Sequence, residues 1–548
     1  MYSPKYPSKN RITMKYPIGI QTFETIREEG YVYVDKSALV YRLANEGQVY
    51  FLSRPRRFGK SLLLSTLKSY FLGQKELFKG LAIEKLEREW AEYPVFHIDF
   101  NAKVFTLPYE LDKTLETFVA TAEDRYGKSP HAQTLGDRLE YAFAQAYQKT
   151  GRKVVVLIDE YDKPILDVLD SDVVIRTTDG NTRKLEDYNR ELLKGFYGVF
   201  KSADPYLRFV FLTGVTKFSQ VSVFSGFNQP KDISMDARYE ALCGITQDEL
   251  LTVFDGPIRE LAEYQRLSFD ETVERLREQY DGYHFSARMT DIFNPFSILN
   301  CLSKMRMDNY WFASGTPTYL VRLLSHCEEN INELVGKYYE AQMFVDYKAD
   351  VERPLPMIYQ SGYLTIKNYN PRRNTYLLDF PNAEVRNGFI TTLASDYFGN
   401  GYESNSNWLQ TATDDLEAGH AEPFILRMKS LLASVSHRLL RKGMPFECER
   451  HFHAAFYLIL QMLGSYTNYI EKETSEGNID CVVECPDFIY VMEFKMDRSA
   501  KDAMAQIREK GYFKPYISDP RPVILLGINF SSDTGTIEDY AIERCEKA

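Results

Sequence analysis

Several features that assign a protein to a class are missing from this sequence. Its seven cysteines show no metal-binding spacing: Cys481 and Cys485 have three residues between them and no second pair, so we expect free thiols in a reducing cytoplasm. No apolar run approaches the ~18 residues of a membrane span, and the first residues contain no apolar segment that would act as a signal peptide. These absences predict a soluble, cytoplasmic protein without a membrane partner.

A surplus of positive charge is also missing. The net charge of −11 argues against a protein that coats nucleic acid, although a local basic groove would survive such an average. The 548 residues exceed what one core organises, and the hydrophobic share of 44% and charged share of 26% are ordinary for globular domains. With no internal repeat and no low-complexity tract, the chain is expected to form several folded domains.

The pattern of hydrophobic runs divides the chain into three predicted parts. Over residues 10–245, short apolar runs alternate with longer helical stretches, which is typical of a parallel α/β sheet with buried strands. The expected strands are residues 49–53, 95–100, 153–159 and 208–214. Residues 246–402 are predicted to be mainly helical, opening with a capping box of Thr246 and Glu249 and closing near the hairpin "YNPRRNTYLLDFPN". Residues 403–548 are predicted to follow the order helix, helix, strand, strand, helix, strand.

The stretch "RPRRFGKS", residues 54–61, supplies the second half of a phosphate-binding loop. It ends in G-K-S as the pattern G-x-x-x-x-G-K-[ST] requires, but Arg54 stands where the first glycine belongs. A strand before it and a helix after it place backbone N–H groups and a helix N-terminus where an anion would bind. The predicted nucleotide-binding residues are Arg57, Phe58, Gly59, Lys60, Ser61 and Leu62. Lys60 would reach the terminal phosphates and Ser61 would ligate Mg²⁺, unless the stretch is only a basic turn that caps an amphipathic helix.

A second apolar strand ends in acidic residues that fit the same site. The run 153–159 ends in Asp159, and Glu160 follows it. A carboxylate at the carboxyl end of a parallel strand lies beside the phosphate loop, where Asp159 would hold Mg²⁺ through water. Glu160 is placed to polarise an attacking water. The alternative is a strand followed by a polar turn.

Long blocks around these motifs resemble a known family. The blocks are "YPIGIQTFETIREEGYVYVDKSALVYRLANEGQVYFLSRPRRFGKSLLLSTLKSYF", "LIDEYDKPI" and "FLTGVTKFSQVSVFSGFNQPKDISMD". They are similar, over residues 10–245, to the AAA-ATPase-like domain of uncharacterised bacterial proteins, in which the loop is typically R-P-R-R-F-G-K-S. The resemblance implies an AAA-like P-loop NTPase fold with ATP and Mg²⁺ as ligands. It also implies a polar sensor of the γ-phosphate on a third strand, for which Thr213 is the first candidate and Lys217 the second.

Arg238 follows the last of these blocks. It is a candidate charge sensor, or an arginine finger that would act between the subunits of a homo-oligomer. The alternative is a surface arginine in a helix or turn.

The C-terminal part carries a second set of charged residues. Asp480 lies in one short apolar run, and Glu493 and Lys495 lie in the next, where strand alternation puts the last two on one face. The tight turn between the runs predicts a hairpin that brings Asp480 beside them. Two carboxylates would bind Mg²⁺ or Mn²⁺ through hard oxygen ligands, and Lys495 would position the attacking water or stabilise charge on a phosphate. The alternative is a solvated strand face with an ion pair.

This arrangement resembles the PD-(D/E)XK nuclease superfamily, in the variant often fused behind the AAA-ATPase-like domain. That variant commonly contains G-R-I-D, E-F-K and A-x-x-Q-I, whereas this chain has Asn478 in place of the arginine, a change that would weaken contact with DNA and leave the metal ligands intact. The resemblance implies a restriction-endonuclease-like α/β fold in which Gln506 supports the water or the lysine. It also implies a further metal-binding acid from the first helix, for which Glu449 is the first candidate and Glu447 the second. Glu473, in the later stretch "EKETSEGNID", is a weaker extra candidate. A helix-start acid favoured by the dipole is the alternative for Glu449.

Two hypotheses of function follow. The first is an ATP-binding and ATP-hydrolysing protein whose nuclease-like domain acts on DNA or RNA under control of the nucleotide state. The second is a nucleotide-dependent switch or scaffold in which an inactive nuclease fold binds a partner. The basic residues after the charged strand either hold a phosphate backbone or form a solvated helix face; they are Arg498, Lys501, Arg508, Lys510 and Lys514.

Overall fold

The chain separates into two compact units, Met1–Val385 and Arg386–Ala548. The computed structural model describes residues 14–169, 171–177, 180–218, 230–314, 334–345, 354–389, 406–440, 467–474, 477–534 and 536–545. The finer division at residues 245 and 402 stays a prediction. In the described ranges, every helix is too short or too polar to span a bilayer.

A parallel five-stranded sheet forms the centre of the first unit. The strands up to its last member are β1 (Val49–Ser53), β2 (Val95–Asp99), β3 (Val154–Asp159), β4 (Val174–Arg176), β5 (Thr182–Lys184), β6 (Leu207–Gly214) and β7 (Lys231–Asp232). The order in the sheet is β2-β3-β6-β1-β7, and β4 pairs only with β5. The four expected strands are present with bounds within one residue of the prediction. β7 was not foreseen, because two polar residues leave no hydrophobic pattern.

Helices flank this sheet and bury its central strands β3 and β6. They are α1 (Phe23–Glu28), α2 (Ser37–Glu46), α3 (Lys60–Phe71), α4 (Glu110–Tyr126), α5 (Leu135–Thr150), α6 (Lys163–Leu166) and α7 (Leu185–Ser202). All six residues of β3 are buried, as a strand covered on both faces requires. Since the strands are parallel, the carboxyl ends of β1, β3 and β6 lie at the same edge of the sheet.

The rest of the first unit is mostly helical, as expected. It contains β8 (Ile245–Thr246), α8 (Gln247–Val253), α9 (Asp255–Gln265), α10 (Phe269–Tyr280), β9 (Ile292–Phe293), α11 (Pro295–Lys304), α12 (Tyr310–Ala313), β10 (Lys337–Glu340), α13 (Ala341–Val345), α14 (Leu355–Gln360), β11 (Thr365–Asn370) and β12 (Thr375–Asp379). The capping box of Thr246 and Glu249 is present at the start of α8. β11 and β12 form the expected hairpin, to which β10 adds a third strand.

A buried acid in this part makes the stability depend on pH. Glu384 is 1% exposed and accepts hydrogen bonds from the Ser297 hydroxyl and the Trp311 N–H, both at 2.7 Å. Burial raises its pKa from 4.5 to about 7. The folded chain therefore keeps a proton that the unfolded chain loses above pH 4.5, so the contribution of Glu384 to stability is complete below that pH and declines as the pH rises to about 7.

We therefore expect Glu384→Gln to flatten the decline in stability between pH 5 and 8. The expected gain at pH 8 is at most about 3 kcal/mol, since glutamine keeps an acceptor oxygen without a charge. Thermal unfolding of both chains across this pH range measures the effect. Glu274→Gln is the control because the Glu274 side chain is 62% exposed, and an equal effect of both changes would contradict the prediction.

The second unit is built on a mixed five-stranded sheet. Its elements are α15 (Ser406–Glu417), α16 (Ala421–Leu440), β13 (Thr467–Thr474), β14 (Gly477–Glu484), β15 (Ile489–Met496), α17 (Ala500–Lys510), β16 (Val523–Ser531) and β17 (Thr536–Arg544). The strand order is β13-β14-β15-β16-β17, and only the β15–β16 pair is parallel. One face packs on α15 and α16 and the other on α17. The expected order lacked β13 and β17, whose charged residues suit strands at sheet edges and hide the apolar pattern.

Candidate functional site

The loop of residues 54–59 joins β1 directly to α3. Gly59 has a φ of 92° and Arg57 a φ of 66°, so the loop twice enters the left-handed region that glycine adopts most easily. A Cβ at Gly59 would meet nothing within 4 Å, so its backbone conformation rather than crowding favours glycine there. α3 begins at Lys60, which places its free N–H groups and Ser61 at the loop.

The ammonium group of Lys60 is held inside this loop. It donates to the carbonyl oxygens of Arg54 (3.2 Å) and Pro55 (3.4 Å) and lies 3.2 Å from the Glu160 carboxylate. The Lys60 side chain is only 4% exposed. Glu160 directly follows β3 and has a φ of 50°, an uncommon conformation that persists only where the surroundings fix it. The structure thus brings the predicted phosphate-binding lysine to the predicted water-polarising acid.

Asp159 and Thr213 form a second buried contact at the same edge. The Thr213 hydroxyl donates to the Asp159 carboxylate at 2.7 Å, and both side chains are at most 2% exposed. This contact arises because β6 lies between β1 and β3. The predicted magnesium acid and the first sensor candidate are therefore neighbours.

Asp162 is a residue of this region that the sequence analysis missed. Its buried carboxylate accepts hydrogen bonds from both the N–H and the hydroxyl of Thr216 and from the N–H of Val215. Burial and the negative charge of Glu160 raise the pKa of Asp162 to about 7. The carboxylate thus ties the turn after β3 to the turn after β6. The second aspartate of "DEYD" was the available signal.

Lys217, the second sensor candidate, and Arg238, the candidate arginine finger, form ion pairs with other residues. Lys217 lies 3.0 Å from Asp232. Arg238 has a side chain that is 52% exposed and pairs with Asp236. For Arg238 both alternatives, a finger between subunits and a surface arginine, stay open.

In the second unit, Asp480, Glu493 and Lys495 come together where two strands separate. The antiparallel pairing of β14 with β15 ends at Cys481 and Met492. Beyond that pair, the Asp480 carboxylate accepts a hydrogen bond from the backbone N–H of Phe494 at 2.8 Å. In a continuous strand pair, a backbone carbonyl of the neighbouring strand would accept this hydrogen bond. The Lys495 ammonium donates to Glu493 (2.9 Å) and to the Phe494 carbonyl (3.0 Å). The predicted hairpin therefore forms and places the three charged side chains in one cluster.

The two carboxyl groups of this cluster compete for a proton. Glu493 is 1% exposed, and its Oε2 atom has no hydrogen-bond partner among the described residues. Burial and the negative charge of Asp480 raise the pKa of Glu493 to about 7. Burial also raises the pKa of Asp480. Two facing carboxyls, one with an unpartnered oxygen, offer the hard donors that Mg²⁺ and Mn²⁺ prefer, so the residues present fit such an ion.

α17 covers the face of the sheet that carries Glu493. Glu493 lies beside Gly527 of β16, and a Cβ at Gly527 would meet the Ala500 carbonyl at 2.6 Å and the Met504 nitrogen at 3.0 Å. Gln506 lies on α17, where its amide donates to the Tyr512 hydroxyl at 3.4 Å.

We expect Gly527→Ala to destabilise the second unit by about 1–3 kcal/mol, because the new methyl group meets backbone atoms that cannot rotate away. Thermal unfolding of the full chain measures this change. The control is Gly198→Ala, since that glycine lies in α7 and its added Cβ would meet nothing within 4 Å. Equal unfolding temperatures for the two variants would contradict the close helix–sheet contact.

Other predicted residues either lie outside the described ranges or contact the solvent. Glu449 and Glu447 lie outside them, and no group of three or more His, Cys, Asp or Glu side chains within them could hold a metal. The five basic residues after β15 are exposed. Arg508 pairs with Glu543. A phosphate-binding face and a solvated helix face therefore both remain open for this group.

Comparisons with known proteins agree with the two units. Residues 17–224 match a family model described as "Predicted AAA-ATPase", and residues 447–540 match one described as "PD-(D/E)XK nuclease superfamily". A relative from Azotobacter chroococcum mcd 1, named "Uncharacterized protein in vnfD 5'region", is 34% identical over 540 residues. The match covers 96% of this chain and 99% of that protein. The similarity thus extends through both units and the residues between the two family matches.

Proposed function

The chain belongs to a family of AAA-ATPase-like proteins with a C-terminal PD-(D/E)XK nuclease superfamily domain, and we propose that it binds and hydrolyses ATP and cleaves phosphodiester bonds in DNA or RNA. The observation that carries the proposal is the cluster of Asp480, Glu493 and Lys495, in which a buried carboxylate oxygen has no partner among the described residues. An unsatisfied buried polar group costs stability, and a metal ion bound at this oxygen would supply the missing partner.

The nucleotide would bind at the loop of residues 54–59 and the start of α3. Lys60 is the charge for the terminal phosphates, and three acceptors now hold its ammonium where phosphate oxygens would replace them. When the ammonium turns to the phosphates, the Glu160 carboxylate loses its partner and becomes free to accept a proton from water. Ser61 and Asp159 are the proposed Mg²⁺ residues, and Thr213 would signal the γ-phosphate to Asp159 through their hydrogen bond.

The second reaction would use the cluster at β14 and β15. Asp480 and Glu493 would hold Mg²⁺ or Mn²⁺, and the bound ion would supply positive charge to the phosphate and its attacking water. Lys495 is fixed by two acceptors, and its ammonium would stabilise the negative charge that develops on the phosphate. Binding of a cation also requires both carboxyls to lose their protons, which the raised pKa of Glu493 opposes at acidic pH.

Incubation of the purified full chain with supercoiled plasmid, or with labelled RNA, tests the proposal. We expect cleavage with Mn²⁺, none with a chelator, and a changed rate when ATP is added. ATP binding without cleavage of either substrate would contradict the nuclease half and favour the switch or scaffold. Cleavage without any ATP binding would contradict the nucleotide half.

A further inference from the structure

Residues more than 200 positions further along the chain contact the loop of residues 54–59. The Phe58 ring lies 4.8 Å from the Tyr283 ring and 5.5 Å from the Phe285 ring, measured between centroids. The indole N–H of Trp311 donates to the Arg56 carbonyl at 3.0 Å. All of these residues belong to the first compact unit. We define Tyr283, Phe285 and Trp311 as the aromatic wall.

Two more loop residues, Pro55 and Arg57, are in contact with later parts of the chain. A Cβ at Gly362 would lie 2.5 Å from the Pro55 side chain, so this glycine permits the close approach of the loop. The Arg57 guanidinium lies 5.2 Å from the Phe296 ring. Contacts thus restrain every residue from Arg54 to Phe58, whereas glycine-rich phosphate loops rely on an intrinsically permissive backbone.

Arg54 contacts the aromatic wall through Phe285. Arg54 is 1% exposed, and its guanidinium lies 4.0 Å from the centroid of the Phe285 ring. Nη1 donates to the carbonyls of Ser53 and Ser234, but Nε and Nη2 have no hydrogen-bond partner among the described residues. In Arg259, by comparison, the same two nitrogens, Nε and Nη2, donate to the carboxylate of Asp255. The Phe285 ring lies against the Arg54 cation and compensates part of its buried charge.

The contacts with the loop also bear on Lys60, the lysine of the nucleotide site. The carbonyls that hold the Lys60 ammonium belong to Arg54 and Pro55, the two residues that Phe285 and Gly362 contact. A shift of Phe285 would therefore disturb Arg54, whose carbonyl is one of the acceptors of the Lys60 ammonium.

We propose that Phe285 and the aromatic wall are positioning residues of the nucleotide site, which hold the loop in a shape that binds the phosphates of ATP. The inference rests on the proposed ATP binding. It assigns a role to the stretch "YDGYHFS", residues 280–286, which contains Tyr283 and Phe285. It also makes the wall responsive to bound nucleotide, since Trp311 bonds to the loop itself.

Equilibrium titration of the full chain with a fluorescent ATP analogue tests this role. We expect Phe285→Leu to raise the Kd about tenfold or more, because the stacked ring over Arg54 is lost. Phe285→Tyr keeps the ring and should restore the affinity to within about twofold. The matched control is Phe254→Leu, which removes a fully buried ring from the core next to α9; it should lower the unfolding temperature and leave the Kd unchanged.

The outcomes separate this inference from the proposed function. An unchanged Kd in Phe285→Leu, or equal losses of affinity in Phe285→Leu and Phe254→Leu, would overturn the inference alone. No binding by the wild type would overturn the proposed ATP site and the inference with it. If Phe285→Leu does not fold, the fluorescence of Trp311 provides a second measurement. The variant Trp90→Phe/Trp408→Phe keeps Trp311 as its only tryptophan, since the chain has three. Its emission should change as the nucleotide site becomes saturated with ATP. Constant emission at saturation would overturn the inference.

Discussion

Replacing Asp480 with asparagine is expected to reduce Mn²⁺-dependent cleavage by at least about 10³-fold, the effect of losing one charged group that acts on a transition state. Asparagine keeps an oxygen that can accept the Phe494 N–H, which now bonds to Asp480 at 2.8 Å. The substitution removes a negative charge whose burial is unfavourable, as the raised pKa of Asp480 indicates. The unfolding temperature should therefore not fall. Initial rates of plasmid nicking, measured beside thermal unfolding, give both quantities.

The matched control for this change is Asp487→Asn. Asp487 is an exposed residue of the turn that joins β14 to β15, so the same chemical change occurs on the same hairpin without touching the cluster. Its nicking rate should equal that of the wild type. Equal rates for wild type and Asp480→Asn would contradict the nuclease role of the cluster.

Lys60→Ala is expected to weaken ATP binding by at least about 100-fold, since a buried cation that contacts phosphates contributes several kcal/mol. The buried ammonium has the loop carbonyls and Glu160 as its only hydrogen-bond and ion-pair partners among the described residues, so Lys60→Ala removes the positive charge at the centre of the proposed phosphate site. Equilibrium titration with ATP and Mg²⁺ measures the loss.

The control for Lys60→Ala lies on the same helix. Lys68 is exposed near the end of α3, and Lys68→Ala should leave the affinity for ATP unchanged. If Lys60→Ala binds ATP as tightly as the wild type, the phosphate-binding role of the loop is wrong.

The strands of the first sheet could be predicted because burial leaves a clear pattern. β3 is buried at every position, and its sequence is apolar from Val154 to Ile158; β6 is also buried and apolar over most of its length. β13 and β17 could not be predicted in this way, since a strand at the edge of a sheet has half of its surroundings in water. Their charged residues are compatible with a strand, a helix or a loop until a neighbouring strand pairs with them.

In the candidate sites, too, the sequence predicted some features and could not predict others. Spacing alone put Glu493 and Lys495 on one face, because side chains alternate along a strand. It could not reveal that the β14–β15 pairing stops at Cys481 and Met492, which frees Asp480 to bond to the backbone. Nor could it reveal Asp162, whose hydrogen bonds join two turns that are 54 residues apart.

The sequence by itself determined the local chemistry of this protein: a G-K-S turn at the start of a helix, an acid at the end of a buried strand, and a carboxylate and a lysine on one strand face. These follow from the periodicity of helices and strands, which operates over a few residues. Only the tertiary structure decided the place of Arg54. From sequence it was a missing glycine; in the fold it is a buried cation stacked on Phe285, because contacts between residues more than 200 positions apart depend on how the chain packs.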